Sequence, residues 1–349
     1  MKVGKYILLW LGLACITAAH AQENSEIEVT KIWDKSPHDA FPDLIKFKDY
    51  YYCTLREATN HVGNESDGKV RVIRSKDGVK WESVKLFESS TEDVREARLS
   101  VRPDGTLMAI VAAGKFRDGR YWTLTPYASF SDKAGENFTP LQKVTYGSGI
   151  TPTLDWIWRV TWHKGVGYGV MYSIKYTDVN GKWKRDMFAQ VLKTKDGRKF
   201  EKVADLSVDG SPNEATIRFD KNDKMFIVLR RETEDQMGVL YTSLPPYKNW
   251  SYDKLTVRLG GPNFLFLDKN QLVLGTRFHE GKQASTALHL LDLKGNIKKT
   301  IKLPSNGDSS YPGLVLEKDK LLVTYYSSHE GKSSIYFAKV PLNQISTTN

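Results

Sequence analysis

Two residues in this chain are of types that can do chemistry together, and each stands where an apolar run begins. Tyr311 precedes Pro312-Gly-Leu, and Glu214 precedes Ala215-Thr-Ile. A phenol is a poor nucleophile at its usual pKa of about 10. It needs a neighbouring carboxylate to take its proton, and Glu214 could fill that role. Three arginines, Arg56, Arg230 and Arg277, stand where later apolar runs end. A guanidinium presents a planar fork matched to two oxygens, so such a set suits recognition of a carboxylate. Glu96, Arg98 and Tyr326 occupy the same kind of boundary. The plainer alternatives are a channel-lining tyrosine, a Glu214–Arg230 ion pair, and arginines that only mark polar strand ends.

The elements that must position these residues are written as a repeat. An apolar run, a short polar turn and a second apolar run recur six times, at residues 42–56, 97–111, 158–172, 215–230, 262–277 and 312–326. Self-similarity at a period of about 50 residues indicates stacked or radial units. A strand-only unit repeated in this way is best satisfied by a ring, which leaves few open edges. The spacing leaves room for four short antiparallel strands per unit, so the expected fold is all-β, a six-bladed β-propeller. The last hairpin is followed only by the strand pattern of residues 333–340, which leaves that blade one strand short. The alternating segment 26–33 is expected to pair there and close the ring. Antiparallel hairpins put the starts of the first strands and the ends of the second strands on one face. The starts are Phe41, Glu96, Trp158, Glu214, Gly261 and Tyr311, and the ends are Arg56, Ala112, Tyr172, Arg230, Arg277 and Tyr326. Glutamates, arginines and aromatics therefore converge at one end of the channel.

Composition narrows the function classes. The chain has 349 residues with 9 Trp, 17 Tyr and 14 Phe, and no long amphipathic helical pattern. Its net charge is +10, but Lys and Arg are not clustered as in a nucleic-acid binder, so no nucleic-acid partner is expected. An acidic sugar is an equally good reading of that charge, and plain solubility is a third. Residues 1–21 read as a secretory signal: Lys2 and Lys5, a short apolar run, then Ala19-His-Ala21. That run is too short to span a membrane. The mature domain is then 22–349, one propeller, secreted or periplasmic, and expected to be a monomer. Of the two cysteines only Cys53 remains in it, so no internal disulfide can form. The seven histidines show no paired metal-ligand spacing, and no Gly-rich phosphate loop is present, so no metal and no cofactor are expected.

A second motif lies on the outer halves of the repeats. Ser75-Lys-Asp-Gly-Val-Lys-Trp81 and Thr194-Lys-Asp-Gly-Arg-Lys-Phe200 share one shape, and Ser131-Asp to Phe138 is a degenerate copy. Hydroxyl and carboxylate oxygens hold the turn, Gly takes the left-handed position, and the aromatic plugs the gap below. These turns resemble the Asp boxes of the sialidase (neuraminidase) superfamily, one residue shorter than the usual form. The stretch from Asn213-Glu-Ala-Thr-Ile-Arg to Leu229-Arg230 resembles the sialidase segment carrying the base glutamate and an arginine. The stretch beginning Ser310-Tyr-Pro-Gly-Leu is similar to the one carrying the catalytic tyrosine. The resemblance implies a six-bladed propeller that hydrolyses a terminal acidic sugar, with tyrosine as nucleophile, an exception to the paired-carboxylate rule.

The chain departs from that family in two places. Ala40 stands where sialidases carry the first arginine of the carboxylate-binding set, so Arg56, Arg230 and Arg277 are expected to form a different set. The acid/base aspartate of sialidases has no secure equivalent; His61 and Asp67, on the loop 57–67, and Asp43, expected to point into the channel, are the candidates. The site expected from sequence is thus Tyr311, Glu214 and Asp43 as catalytic residues, with Arg56, Arg230, Arg277, His61, Glu96, Arg98 and Tyr326 binding substrate. Two other classes remain open. One is a lyase or other glycosidase acting on uronates, with His61, Tyr311 or Tyr326 as acid and base. The other is a non-catalytic glycan-binding propeller. Hydrogen-bond contact between Tyr311 and Glu214 separates catalysis from binding.

Overall fold

The computed structural model describes residues 26–62 and 67–346. The expected signal peptide lies outside the described residues. Six antiparallel sheets follow one another around a ring. The first blade is built from His38–Phe47, Tyr50–Ala58, Lys69–Ser75 and Glu82–Phe87. The inner strands of the next five blades are Asp93–Val101, Leu154–His163, Pro212–Phe219, Asn263–Phe266 and Ser309–Leu316. The hairpins fall where the repeats predict them, and the architecture is the expected β-propeller.

The ring closes through the N-terminal strand. Glu28–Trp33 pairs antiparallel with Ser334–Pro341, Glu28 opposite Lys339 and Trp33 opposite Ile335, and becomes the outer strand of the last blade. The seam is tied again at its inner edge, where Asp39 N donates to Ser333 O at 3.1 Å and Ser333 Oγ donates to Asp39 O at 2.9 Å. The second and third blades share one irregularity. The turn between Ser131 and Phe138 consumes chain, leaving the second blade an outer strand of only Gln142–Lys143. The next residues, Thr145–Tyr146, pair in parallel with the third blade's edge instead.

Apolar clusters fill the spaces between neighbouring blades, and the turns lock into them. At Ser75–Trp81 the Ser75 hydroxyl accepts from Gly78 N at 2.9 Å, and Asp77 Oδ1 accepts from Val79 N and Lys80 N. The same bonds recur at Thr194 and Asp196. Gly78 has φ +74°, and a Cβ there would meet the Phe337 ring at 2.7 Å, so the turn seats directly against the last blade.

The inner strands share a feature that the repeat pattern does not reveal. Pairing with the second strand slips between Ala40 and Asp43, Arg95 and Arg98, Ile157 and Val160, Pro212 and Ala215, and Ser310 and Gly313. Such bulges re-aim side chains. At three of them a residue other than glycine is left-handed: Phe41 (φ 56°), Glu96 (52°) and Tyr311 (56°). Each such conformation costs of order 1–3 kcal/mol. All three turn toward the same end of the ring.

Removing the closing strand tests this architecture. A chain beginning at Ser36 leaves Ser334–Pro341 as an open edge with unpaired backbone groups. Calorimetry is expected to show loss of the single cooperative transition, and size exclusion to show aggregate. A monodisperse truncation with unchanged unfolding would refute the closure.

Candidate active site

Tyr311 sits on the sixth blade and Glu214 on the fourth, and they meet across the ring. Tyr311 Oη donates to Glu214 Oε1 at 2.5 Å, with both side chains buried. Glu214 Oε2 accepts from Gly261 N at 2.6 Å and lies 2.8 Å from Arg230 Nη1. Burial alone would raise the Glu214 carboxyl. Arg230, the Tyr311 hydroxyl and the Gly261 amide outweigh it and hold Glu214 below the ordinary range. Tyr311 moves the other way: burial, then the charges of Glu214 and Glu96, push its phenol well above 10. The pair is therefore a neutral phenol bonded to an ionised carboxylate. Gly261 makes the approach possible, because a Cβ there would stand 2.5 Å from the Tyr311 ring.

Arg230 is itself held by a second carboxylate, Glu232 at 2.8 Å, which Asn213 Nδ2 also contacts. Arg277, on the fifth blade, donates through Nε to Ser309 O at 2.8 Å and through Nη2 to Tyr326 Oη at 3.0 Å. Its guanidinium lies 5.8 Å from the Tyr311 ring centroid. Arg230 and Arg277 thus flank Tyr311. Phe41, Trp158 and Tyr326 surround its ring at centroid distances of 4.9, 5.6 and 5.9 Å.

One wall of the site is closed and polar. Glu96 lies between Arg95 and Arg98, at 3.9 and 3.7 Å, and its Oε2 has no hydrogen-bond partner among the described residues. Burial dominates and pushes its carboxyl up to about 7, against the pull of both arginines. Arg98 packs its guanidinium 4.5 Å from the Trp158 ring centroid and donates to Phe41 O and Pro42 O. Tyr172 and Trp156 stack on this side at 5.9 Å.

The adjoining rim, reached across Phe41, is more open and is built around Asp308. Its Oδ1 accepts from Tyr326 Oη at 2.7 Å, and its Oδ2 lies 2.9 Å from His38 Nε2 and 2.7 Å from His61 Nδ1. Burial resists ionisation of Asp308, but the two imidazoles and the phenol outweigh it and hold the carboxyl well below the usual range. His61 also packs edge-on against Phe41 at 5.0 Å. The ligating atoms of His38, His61 and Asp308 lie within 4.8 Å of one another. Both imidazoles spend those atoms on Asp308, and Arg277 stands 3.9 Å from the same carboxylate.

Not every residue expected in the cleft is there. Arg56 is fully buried and makes two bonds to Asp93, at 3.0 and 3.1 Å, so its fork is spent within the protein. Asp43 reaches the ring axis but is fully buried, with Arg159 Nη1 2.9 Å from both its oxygens and Leu99 N donating to one. Asp67 is half-buried and caps Thr59. Arg95, His38 and Asp308 were absent from the residues expected by sequence. Asp308 had one usable signal, its place just before the inner strand that carries Tyr311. A groove of about 590 Å³ lies between the third and fourth blades around Tyr168 and Tyr247 and contains none of these residues.

No protein-family model matches the chain, and no curated protein matches it. Solved structures do. A protein of unknown function from Dyadobacter fermentans has a TM-score of 0.77 at 18% identity, covering 90% of this chain and 99% of that one. Trypanosoma rangeli sialidase, solved with 2,3-difluorosialic acid as a covalent intermediate, has a TM-score of 0.64 at 12% identity, covering 87% and 54%. The NanB sialidase of Streptococcus pneumoniae has a TM-score of 0.66 at 11% identity, covering 89% and 69%. The chain thus spans about half the length of the trypanosomal enzyme. At these identities the likeness establishes the propeller fold.

The buried Glu96 carries a measurable consequence. Its carboxyl titrates near 7 in the folded chain against an ordinary 4.5. The folded state keeps a proton that the unfolded state releases, so stability falls as pH rises from about 4.5 to 7. Melting temperatures of wild type and Glu96→Gln are expected to diverge across that window, the wild type losing ground as pH rises. Parallel pH profiles would show that Glu96 does not titrate there.

Proposed function

We propose that this chain is a glycoside hydrolase that removes a terminal acidic sugar, sialic acid or a relative, from glycans. The observation that carries the reading is the 2.5 Å hydrogen bond from Tyr311 to Glu214. A binding module needs aromatics and arginines but has no use for a shielded nucleophile–base pair. The propeller fold shared with two sialidases supports the same reading. The expected signal segment fits it too, since glycans are met outside the cytoplasm.

The chemistry follows from the protonation states. Tyr311 is a phenol in the resting site, so its attack on the anomeric carbon requires Glu214 to take the proton as the bond forms. A neutral nucleophile avoids repulsion by a substrate that carries its carboxylate at that carbon. Arg277 and Arg230 stand on either side of Tyr311, where they can hold that carboxylate. The glycan departs as its bond to the anomeric carbon breaks. Water then cleaves the tyrosyl–glycosyl bond, the sugar takes the hydroxyl, the water's other proton balances the one the glycan carries off, and Glu214 returns its proton to Tyr311.

Tyr311→Phe and Glu214→Gln are expected to fold with near-native melting temperatures and to lose turnover by ~10²-fold or more. A fluorinated acidic sugar should label wild type at Tyr311 in a peptide map. Full activity in either variant would remove that residue from the mechanism, and an unsaturated uronate product would make the protein a lyase.

Arg230 is bound to two glutamates, so Arg277 gives the cleaner test of carboxylate recognition. Arg277→Lys should raise KM for an acidic substrate and leave a neutral analogue nearly unchanged, because the bidentate fork is lost. Equal effects on both would make Arg277 a structural residue.

A further inference from the structure

We infer that His61, oriented by Asp308, is the group that protonates the departing glycan; the inference rests on the hydrolase reading and concerns the step which that reading leaves open. An ionised carboxylate has no hydrogen to give. Because Asp308 is ionised, His38 Nε2, His61 Nδ1 and Tyr326 Oη must each donate to it. This fixes the ring of His61, with Nδ1–H on Asp308 and Nε2 on its other side. The loop carrying it is pinned as well, by Arg95 Nη2 donating to His61 O at 2.8 Å.

Three observations separate His61 from its rivals. Its side chain is 45% exposed, whereas that of His38 is 10% exposed and buries an Nδ1 with no partner among the described residues. His61 and Tyr311 pack against the same ring, Phe41, at 5.0 and 4.9 Å, so they stand one ring apart at the same end of the site. The departing group is the rest of a glycan and must lie where solvent reaches. The rim at His61 meets that need, and the enclosed Glu96, 6% exposed, does not. Asp43 and Asp67 are spent on Arg159 and Thr59.

The proton balance closes. As Tyr311 attacks and Glu214 takes its proton, imidazolium His61 gives the Nε2 proton to the glycosidic oxygen while that carbon–oxygen bond breaks. Neutral His61 then takes a proton from the water that attacks the tyrosyl–glycosyl bond, and Glu214 returns its proton to the departing phenolate. Both groups end as they began. The charged groups that face His61 are Asp308 from the sixth blade, with His38 and Tyr326 on the same carboxylate, Arg277 from the fifth blade and Arg95 from the second.

The test uses two acidic-sugar glycosides, a 4-nitrophenyl one whose leaving group needs no proton and a lactose-linked one that does. His61→Ala is expected to keep the first within about tenfold and to lose the second by ~10²-fold or more. The basic limb of its pH profile should vanish. Asp308→Asn, a positioning change, should lower turnover of the lactose-linked glycoside more than that of the 4-nitrophenyl one, because the ring of His61 is no longer held by a carboxylate. Equal losses on both substrates in a folded His61→Ala would overturn the assignment. So would the same leaving-group dependence appearing in Glu96→Gln instead, or loss of wild-type activity on chelation. A wild type inactive on both glycosides would sink the hydrolase reading itself, a failure distinct from that of the acid.

Discussion

A buried carboxylate that must stay ionised is the constraint on which the site is built. Glu214 is 5% exposed, a setting that favours the protonated acid. It remains charged because three donors converge on two oxygens: Tyr311, Arg230 and the Gly261 amide. Arg230 then needs compensation of its own and takes it from Glu232, which Asn213 steadies. Each partner thus creates a requirement one step further out, until the network reaches partly exposed groups. Removing Arg230 would leave Glu214 and Glu232 without their shared counter-charge, and that is more damaging than losing one contact.

The network exists only in the closed ring. Glu214 and Arg230 come from the fourth blade, Gly261 and Arg277 from the fifth, Tyr311 from the sixth and Phe41 from the first. The ring axis beneath them is also filled. Asp43 of the first blade pairs with Arg159 of the third, and Arg218 of the fourth donates to Asn263 of the fifth at 2.9 Å. Burial, with Arg159 nearby, lowers Arg218 to about 9, so this is a costly plug. It leaves the site a pocket closed from below rather than a pore. A pocket of that kind suits the end of a chain better than a passing strand.

The repeat was legible because apolar hairpins at a constant period leave one strand missing and one to spare; pairing segment 26–33 with segment 333–340 anticipated the observed ladder of Glu28–Trp33 on Ser334–Pro341. The meeting of Tyr311 and Glu214 was legible for the same reason, since both begin inner strands. Arg56 was misplaced because its partner, Asp93, belongs to the next blade, and no local pattern announces contacts between blades. Asp308 and His38 stayed hidden for a stronger reason. They come from opposite ends of the chain and meet only across the seam of the ring. The bulges were invisible as well, because a left-handed Phe41, Glu96 or Tyr311 contradicts local preference. Strain of that kind is a consequence of assembly and not of sequence pattern.

The two walls of the site differ in a way that fixes a direction through it. On the side of the second and third blades, Glu96, Arg95, Arg98, Tyr172 and Trp156 are nearly sealed from solvent. The nitrogens Nε of Arg95 and Arg98 and one oxygen of Glu96 have no partner there among the described residues. Buried polar groups left in that state are unfavourable alone and favourable once a polar guest satisfies them. A sugar bears hydroxyls enough to do so, and a protonatable Glu96 can either give or accept a hydrogen bond. On the side of the first and sixth blades, His61 and Asp308 remain half open. Under the proposed reading the sugar enters the sealed wall first and the glycan trails past the open rim. The bond between them then lies over Tyr311, the one position from which the nucleophile, its base and the groups of both walls can act together.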